Sequence, residues 1–509
     1  MQPLTGLDAM FLSTETISMH NHVCGTFVFD PSTMPNGYNF ETFRQLVTDR
    51  LPLLPPFRRR VLNIPFGLHH PIWLEDPDFD LDYHVRKASL PSPGSIIELA
   101  EFTADIVGRP LDLTRPLWEL YMVEGLEGGI IAMVTKIHHA AIDGVSGAEL
   151  MASFLDLSNE IRKIDKEEPP WRPDRIPSDI ELIAYGLNSL AKHPMNIVRT
   201  FKQTVEAMLS LSQRNRMPGI PKPPPAPFSA PKTKMNGALT PHRKVCFNEV
   251  SLDDVKFIKN VFGGTVNDVV LTICGTALRN YLLEHKDLPD KDLMAMIPIS
   301  VRTEDQKGTL GNRVSMMLVS METLQKDPIK RLSAMSENSK VAKEQEKAIG
   351  AETLSNWTEF AAPAVAARAA RLASSTGIAN RVRPIFNLII SNVPGPNFPL
   401  YAGGARMLAA YPIGPLIEGV GLNITVMSYM GSMFFGLQSC RELIPDIEKI
   451  GDHLVAATGD LHKAAVRKQN GENPTVRSAA RKPRPGSKSA REVHDKEVHD
   501  KETNKGASH

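Results

Sequence analysis

Seven prolines fall between Met217 and Pro231 (Pro218, Pro221, Pro223, Pro224, Pro225, Pro227 and Pro231), and a chain so interrupted forms neither helix nor central strand there. The segment predicts an extended connection that divides the 509 residues into two bodies. Before it, residues 1–160 mix strand-like runs such as Val23–Phe29 and Ile130–Ile137 with helical ones such as Phe40–Leu51 and Ile96–Val107. After it, residues 244–465 carry helical patterns over Asn267–Glu284 and Ser333–Lys347 and strand patterns over Leu293–Ile299 and Asn387–Ser391. Two α/β domains of similar size are the expectation, with residues 161–243 as linker. The linker begins with a charged loop and continues as an amphipathic helix over Glu181–Gln213, with Pro194 as a kink site.

Residues 466–509 change to Lys, Arg, Ser, Pro and Glu, and Glu492–Lys496 is repeated as Glu497–Lys501. This composition builds no core, so a disordered basic tail is expected, with His494, His499 and His509 solvated. The formal net charge of +1 conceals this asymmetry. From Lys463 onward there are 12 basic and 6 acidic residues, so the body is mildly acidic. The balance offers no reason to expect nucleic acid, while the tail suits anionic lipid.

Cys24, Cys246, Cys274 and Cys440 are scattered without a Cys-x-x-Cys, which suits core thiols in a reducing compartment. The amino terminus has no secretory pattern, so a cytoplasmic protein is expected. The uncharged run Gly419–Cys440 exceeds the roughly 18 residues of a membrane helix. It nevertheless breaks into Leu422–Val426 and Met433–Leu437 around Tyr429-Met430-Gly431-Ser432, the pattern of a hairpin between buried strands. Any membrane contact is then peripheral. The linker helix, with Lys192, Arg199, Lys202, Arg214 and Arg216 among its apolar residues, either packs across both domains or docks on a bilayer.

Chemistry concentrates in Ile130–Gly144, where a buried strand runs into His138-His139 and Asp143-Gly144 follows. Neighbouring strand residues point to opposite faces, so if the strand continues through the pair only one imidazole faces a substrate and the other supports it. Neutral imidazole is the natural base for an alcohol near neutral pH. The pair His69-His70, followed by Pro71 and lacking both Asp and Gly at the matching offsets, shows that the dipeptide alone carries little. No His-Glu-x-x-His accompanies the motif, so no metal site is expected. A Gly-x-Ser-x-Gly elbow is also missing, which argues against a serine hydrolase.

His-His-x-x-x-Asp-Gly, preceded by Arg115-Pro116-Leu117-Trp118-Glu119, resembles the bacterial wax ester synthase/diacylglycerol acyltransferase family, of mycobacterial type, within the coenzyme A-dependent acyltransferases. Further matches are Leu7-Asp8, Phe11-Leu12, Trp73 with Asp76, Phe79-Asp80-Leu81, His84-Val85, Asn267–Leu271, Pro298–Arg302, Gly311-Asn312 and Ser391–Pro396. The resemblance implies two chloramphenicol acetyltransferase-like domains with a tunnel between them. Through it, a long-chain acyl-CoA and a diacylglycerol or long-chain alcohol approach from opposite sides. It implies His139 as general base, His138 in support, and Asp143 orienting its loop, with Arg302 as partner. Gly144, Asn267, Asp268 and Arg302 become substrate-binding candidates, and acyl-CoA is a co-substrate with no further cofactor. For Asn267-Asp268 helix capping competes with substrate contact, and Trp118 suits core packing better than a ligand platform. Two other readings stand beside the enzyme: a lipid-binding or droplet-surface protein of the same fold, and a condensation enzyme using a carrier protein. The second is weakened by the lack of any carrier signature in the chain.

Overall fold

The computed structural model describes residues 2–142, 147–164, 173–192, 229–300, 314–349, 371–372 and 374–472. The proline-rich stretch up to residue 228, the linker helix beyond Lys192 and the tail from residue 473 lie outside them.

Two six-stranded mixed sheets carry the fold. The first runs in the order Tyr401–Ala402, Ala405–Ile413, His22–Asp30, Ile131–His138, Trp118–Glu124, Val85–Ser89. Its central strand Ile131–His138 is flanked on both edges, and Ile131, Ala132, Met133 and Val134 are all buried, which explains an unbroken apolar run where a half-exposed strand would alternate. Trp118 packs between the rings of Phe57 and His84, at 4.9 and 4.5 Å, and its indole donates to the Phe57 carbonyl. It is a core residue, as expected from sequence. Lys136, on the same central strand, is also buried. Its Nζ lies 2.9 Å from Glu119 Oε2 and donates to the carbonyls of Ile106 and Arg109 at the C-terminal end of helix Ile96–Gly108, where a cation is favoured.

The second sheet runs Val314–Ser320, Met294–Ser300, Leu388–Val393, Leu422–Tyr429, Ser432–Cys440, Arg243–Ser251. The expected hairpin is present. Leu422–Tyr429 pairs antiparallel with Ser432–Cys440, and Met430 and Gly431 turn the chain at φ 48° and 84°, the two positive values that a tight two-residue hairpin turn demands. Helices Leu252–Phe262, Val266–Glu284 and Ile447–Gln469 pack on this sheet. Val266–Glu284 is buried nearly all round, so its hydrophobicity belongs to a protein core. Among the described residues no single helix is long and apolar enough to cross a membrane.

Two boundaries drawn from sequence shift. Residues 401–413, assigned to the second domain, complete the first sheet: Ala405–Ile413 pairs antiparallel with His22–Asp30, from Arg406 opposite Asp30 to Ile413 opposite Cys24. The last helix also runs past 465 to Gln469, because Lys468 donates to the Val261 carbonyl and lies over the Phe262 ring, giving the basic segment a partner. Where the crossing strand meets the second sheet, Phe247 stacks on Tyr411 at 4.5 Å. Gly436 permits the approach, since a Cβ there would sit 1.9 Å from the Pro412 carbonyl oxygen. Arg243 adds a tie from the second sheet to the Ser18 carbonyl, in the loop that enters the first. The four cysteines are buried free thiols, and burial pushes Cys24, Cys246 and Cys274 up to about 12.

Candidate active site

The central strand of the first sheet ends at His138, directly opposite His22 on the neighbouring strand, and His139 opens a short 3-10 turn, His139–Ile142. The two imidazoles are therefore separated by the end of the strand, and the alternation of a continuing strand does not apply. His138 is fully buried. Its Nδ1 accepts the Ala140 N–H at 3.0 Å, and its Nε2 lies 3.1 Å from Glu15 Oε1. His139 is half-buried; its N–H donates to the Asn21 carbonyl at 2.8 Å and its ring stacks on Phe11, centroids 4.2 Å apart. Burial, with a smaller contribution from neighbouring His138, lowers the His139 pKa to about 4, so the ring is neutral at pH 7. Of the pair, the more accessible neutral ring is His139, the one assigned the base role from sequence.

Around these rings sits a cluster that motif reading missed. His20, His22 and His138 are all buried; the first two rings stack at 5.2 Å, and His22 meets His138 edge-on at 5.9 Å. Glu15 faces them, and its Oε1 accepts the Asn21 N–H at 3.0 Å. The available signal was the i, i+2 spacing of His20 and His22 at the start of a strand, which puts both rings on one face. By contrast, His69-His70 lies on the outer layer, with His69 edge-on to Tyr185.

Asn267 and Asp268 have separate fates. Thr265, rather than either of them, is the N-cap of the helix. Asp268 is the third residue of a reciprocal capping box: its N–H donates to Thr265 Oγ1 and its Oδ2 accepts the Thr265 N–H at 2.8 Å. Asp268 is buried in that role, which replaces its candidacy for substrate contact. Asn267 is half-buried and accepts from Asn392 Nδ2 at 3.4 Å, joining the helix start to the strand that carries Ser391–Pro396. Asp143, Gly144 and Arg302 lie outside the described residues.

A cavity of about 880 Å³ opens between the helix that follows the histidine pair, Gly147–Phe154, and the end of strand Leu388–Val393. Met151, Leu155, Val393, Phe398 and Met427 make its wall apolar, and Arg162 and Lys163 line it together with Asp156 and Glu160. His139 does not line it, and residues 143–146, which join the two features, lie outside the described part. An apolar chamber of this kind suits a long acyl chain. Among the described residues no group of three or more His, Cys, Asp or Glu is placed to hold a metal ion.

Two mixed sheets, the first completed by a strand from the second half of the chain, with a neutral imidazole held at a strand end, match the architecture of acyltransferases of the chloramphenicol acetyltransferase kind. Residues 4–270 match the model for the wax ester synthase/diacylglycerol acyltransferase catalytic domain, and residues 310–462 match that family's C-terminal domain. The chain belongs to the wax ester synthase/diacylglycerol acyltransferase family. A Mycobacterium tuberculosis H37Rv protein that carries a diacylglycerol O-acyltransferase name is 36% identical over 476 residues, covering 93% of this chain and 92% of that one. A similarly named Mycobacterium bovis protein is 36% identical over 90% of this chain and 98% of its own. Among solved structures, the wax ester synthase/diacylglycerol acyltransferase from Marinobacter aquaeolei VT8 superposes with a TM-score of 0.63 at 27% identity, covering 91% of this chain and all of that one. Trichothecene 15-O-acetyltransferase from Fusarium sporotrichioides, at 13% identity and a TM-score of 0.54, shares the fold.

Proposed function

We propose that this protein transfers a long-chain acyl group from its coenzyme A thioester to the free hydroxyl of diacylglycerol, giving triacylglycerol and coenzyme A, and that long-chain alcohols serve as second acceptors to give wax esters. The observation that carries the chemistry is the neutral, half-buried His139 held at the end of the central strand. The base takes the hydroxyl proton as the oxygen attacks the thioester carbonyl. Its depressed basicity is acceptable because the proton becomes more acidic as the C–O bond forms. The tetrahedral intermediate then collapses, the imidazolium returns the proton to the departing thiolate, and no acyl-enzyme forms. Raised thiol pKa values at Cys24, Cys246 and Cys274 support a direct transfer over a cysteine nucleophile.

Purified protein with palmitoyl-CoA and either diolein or hexadecanol is expected to release thiol, and His139→Ala to lose about 10²- to 10⁴-fold in rate. Equal release by His139→Ala sinks the mechanism, and no release with any acceptor favours the lipid-binding reading. The water-insoluble acceptor places the reaction, in this reading, at a cytoplasmic membrane face or lipid-droplet surface. Neutralising the basic linker residues should then reduce flotation with anionic liposomes, and unchanged flotation counts against docking through that helix.

A further inference from the structure

Neutral imidazole exists as two tautomers, and which nitrogen keeps the proton is set by the partner of the other. His138 Nδ1 accepts the Ala140 N–H, so the proton must sit on Nε2. That nitrogen lies 3.1 Å from the Glu15 carboxylate, an ion-pair distance without the alignment of a hydrogen bond, in a site where the His138 side chain has no solvent exposure and Glu15 only 11%. The other tautomer would set two N–H donors against each other at the turn that carries His139. The same Glu15 oxygen accepts the Asn21 N–H at 3.0 Å, and the Asn21 carbonyl in turn accepts the His139 N–H at 2.8 Å. Asn21 also donates through Nδ2 to the Phe11 carbonyl at 2.6 Å, fixing the residue whose ring lies on His139. The backbone of His139, the turn after it and its stacking partner are thus all referred to one carboxylate, which lies outside the histidine motif.

We propose that Glu15 is a positioning residue for His139: it anchors Asn21, whose carbonyl takes the His139 N–H and whose side chain holds Phe11, and it sets a carboxylate beside His138, so that the base is held from both sides. The proposal rests on His139 being the general base. Without the acceptor oxygen, the Asn21 N–H loses its partner, and the backbone and ring contacts that hold His139 loosen.

The test compares Glu15→Met, which keeps the volume and removes the acceptor, with Glu15→Gln, which keeps a neutral acceptor oxygen, and with His139→Ala. Thiol release from palmitoyl-CoA with diolein is measured in each. Glu15→Met is expected to lower kcat on the order of a hundredfold, with KM for palmitoyl-CoA within about threefold of wild type. Glu15→Gln should stay within about tenfold of the wild-type kcat. In histidine-selective ¹⁵N spectra, with His138 and His139 assigned by their loss in His138→Asn and His139→Ala, wild type should show His138 as the Nε2–H tautomer that the Ala140 contact requires, and Glu15→Met should shift the His139 signals as its anchor is lost. A folded Glu15→Met with wild-type kcat overturns the proposal, as does an Nδ1–H tautomer in the wild-type protein. If Glu15→Met does not fold, the wild-type tautomer and Glu15→Gln decide, and a Glu15→Gln as slow as His139→Ala overturns it. A His139→Ala enzyme that keeps its rate defeats the general-base reading instead, whatever the spectra show.

Discussion

Arg50 and Asp156 form an ion pair with side-chain exposures of 0% and 2% and an Nη2–Oδ1 distance of 2.7 Å. Asp156 lines the apolar cavity, and its backbone pairs in both directions with Tyr401 of the crossing segment, at 2.8 and 2.9 Å. Removing one partner of such a pair leaves an uncompensated charge in the interior, which costs about 3 to 5 kcal/mol, whereas removing both is often nearly neutral. The two single losses should differ. Arg50→Met leaves Asp156 with Arg162 Nε at 3.6 Å, a cation that is 45% exposed, so the cost falls near about 3 kcal/mol. Asp156→Leu leaves the buried guanidinium, among the described residues, with a neutral oxygen at 3.1 Å, the Arg162 carbonyl, so about 5 kcal/mol is expected. The double variant Arg50→Met/Asp156→Leu should return to within about 1 kcal/mol of wild type, because both desolvation costs vanish with the charges. Urea unfolding followed by near-UV circular dichroism measures all four proteins. Single losses below about 1 kcal/mol, or a double variant whose loss is the sum of the singles, would refute this account.

His20 and Gly395 are each held in surroundings that a single change would upset. Burial lowers the His20 pKa from 6.5 to about 4, so the folded state resists a proton that the unfolded chain takes up below pH 6.5. The stability it contributes is therefore complete above about pH 6.5 and lost as the pH falls toward 4, amounting to about 3 kcal/mol. The urea midpoint of His20→Asn should fall less between pH 7.5 and 4.5 than that of wild type, and parallel curves would count against the burial argument. Gly395→Ala would place a Cβ 2.1 Å from the Ser428 carbonyl oxygen and push the Pro394–Pro396 loop off the neighbouring strand. A loss of about 1 to 3 kcal/mol is expected, together with a lower kcat/KM because that loop lines the cavity. An unchanged melting temperature would show that the strand yields instead.

Much of the local structure was readable because it rests on neighbours in sequence. Strand Ile131–His138, helix Ile96–Gly108 and the hairpin at Met430-Gly431 follow from apolar period and turn chemistry within a few residues of each pattern. The capping of Val266–Glu284 was half visible: a polar residue at the helix start was legible, but whether Asn267 or Thr265 filled the cap depended on where the backbone became helical. The allotment of Ala405–Ile413 to the first sheet was not legible, since a strand's pattern records its burial and leaves its partner open.

By itself the sequence determined two α/β halves, a histidine pair at the end of a buried strand and the family to which that motif points, because each of these is written in local pattern or in a contiguous motif. The tertiary structure alone decided that the halves share a sheet, that His138 is the buried partner and His139 the accessible one, and that Glu15 stands behind both. Glu15 lies more than a hundred positions from the motif, and a hydrogen bond is set by distance in space, which the order of residues along the chain does not contain.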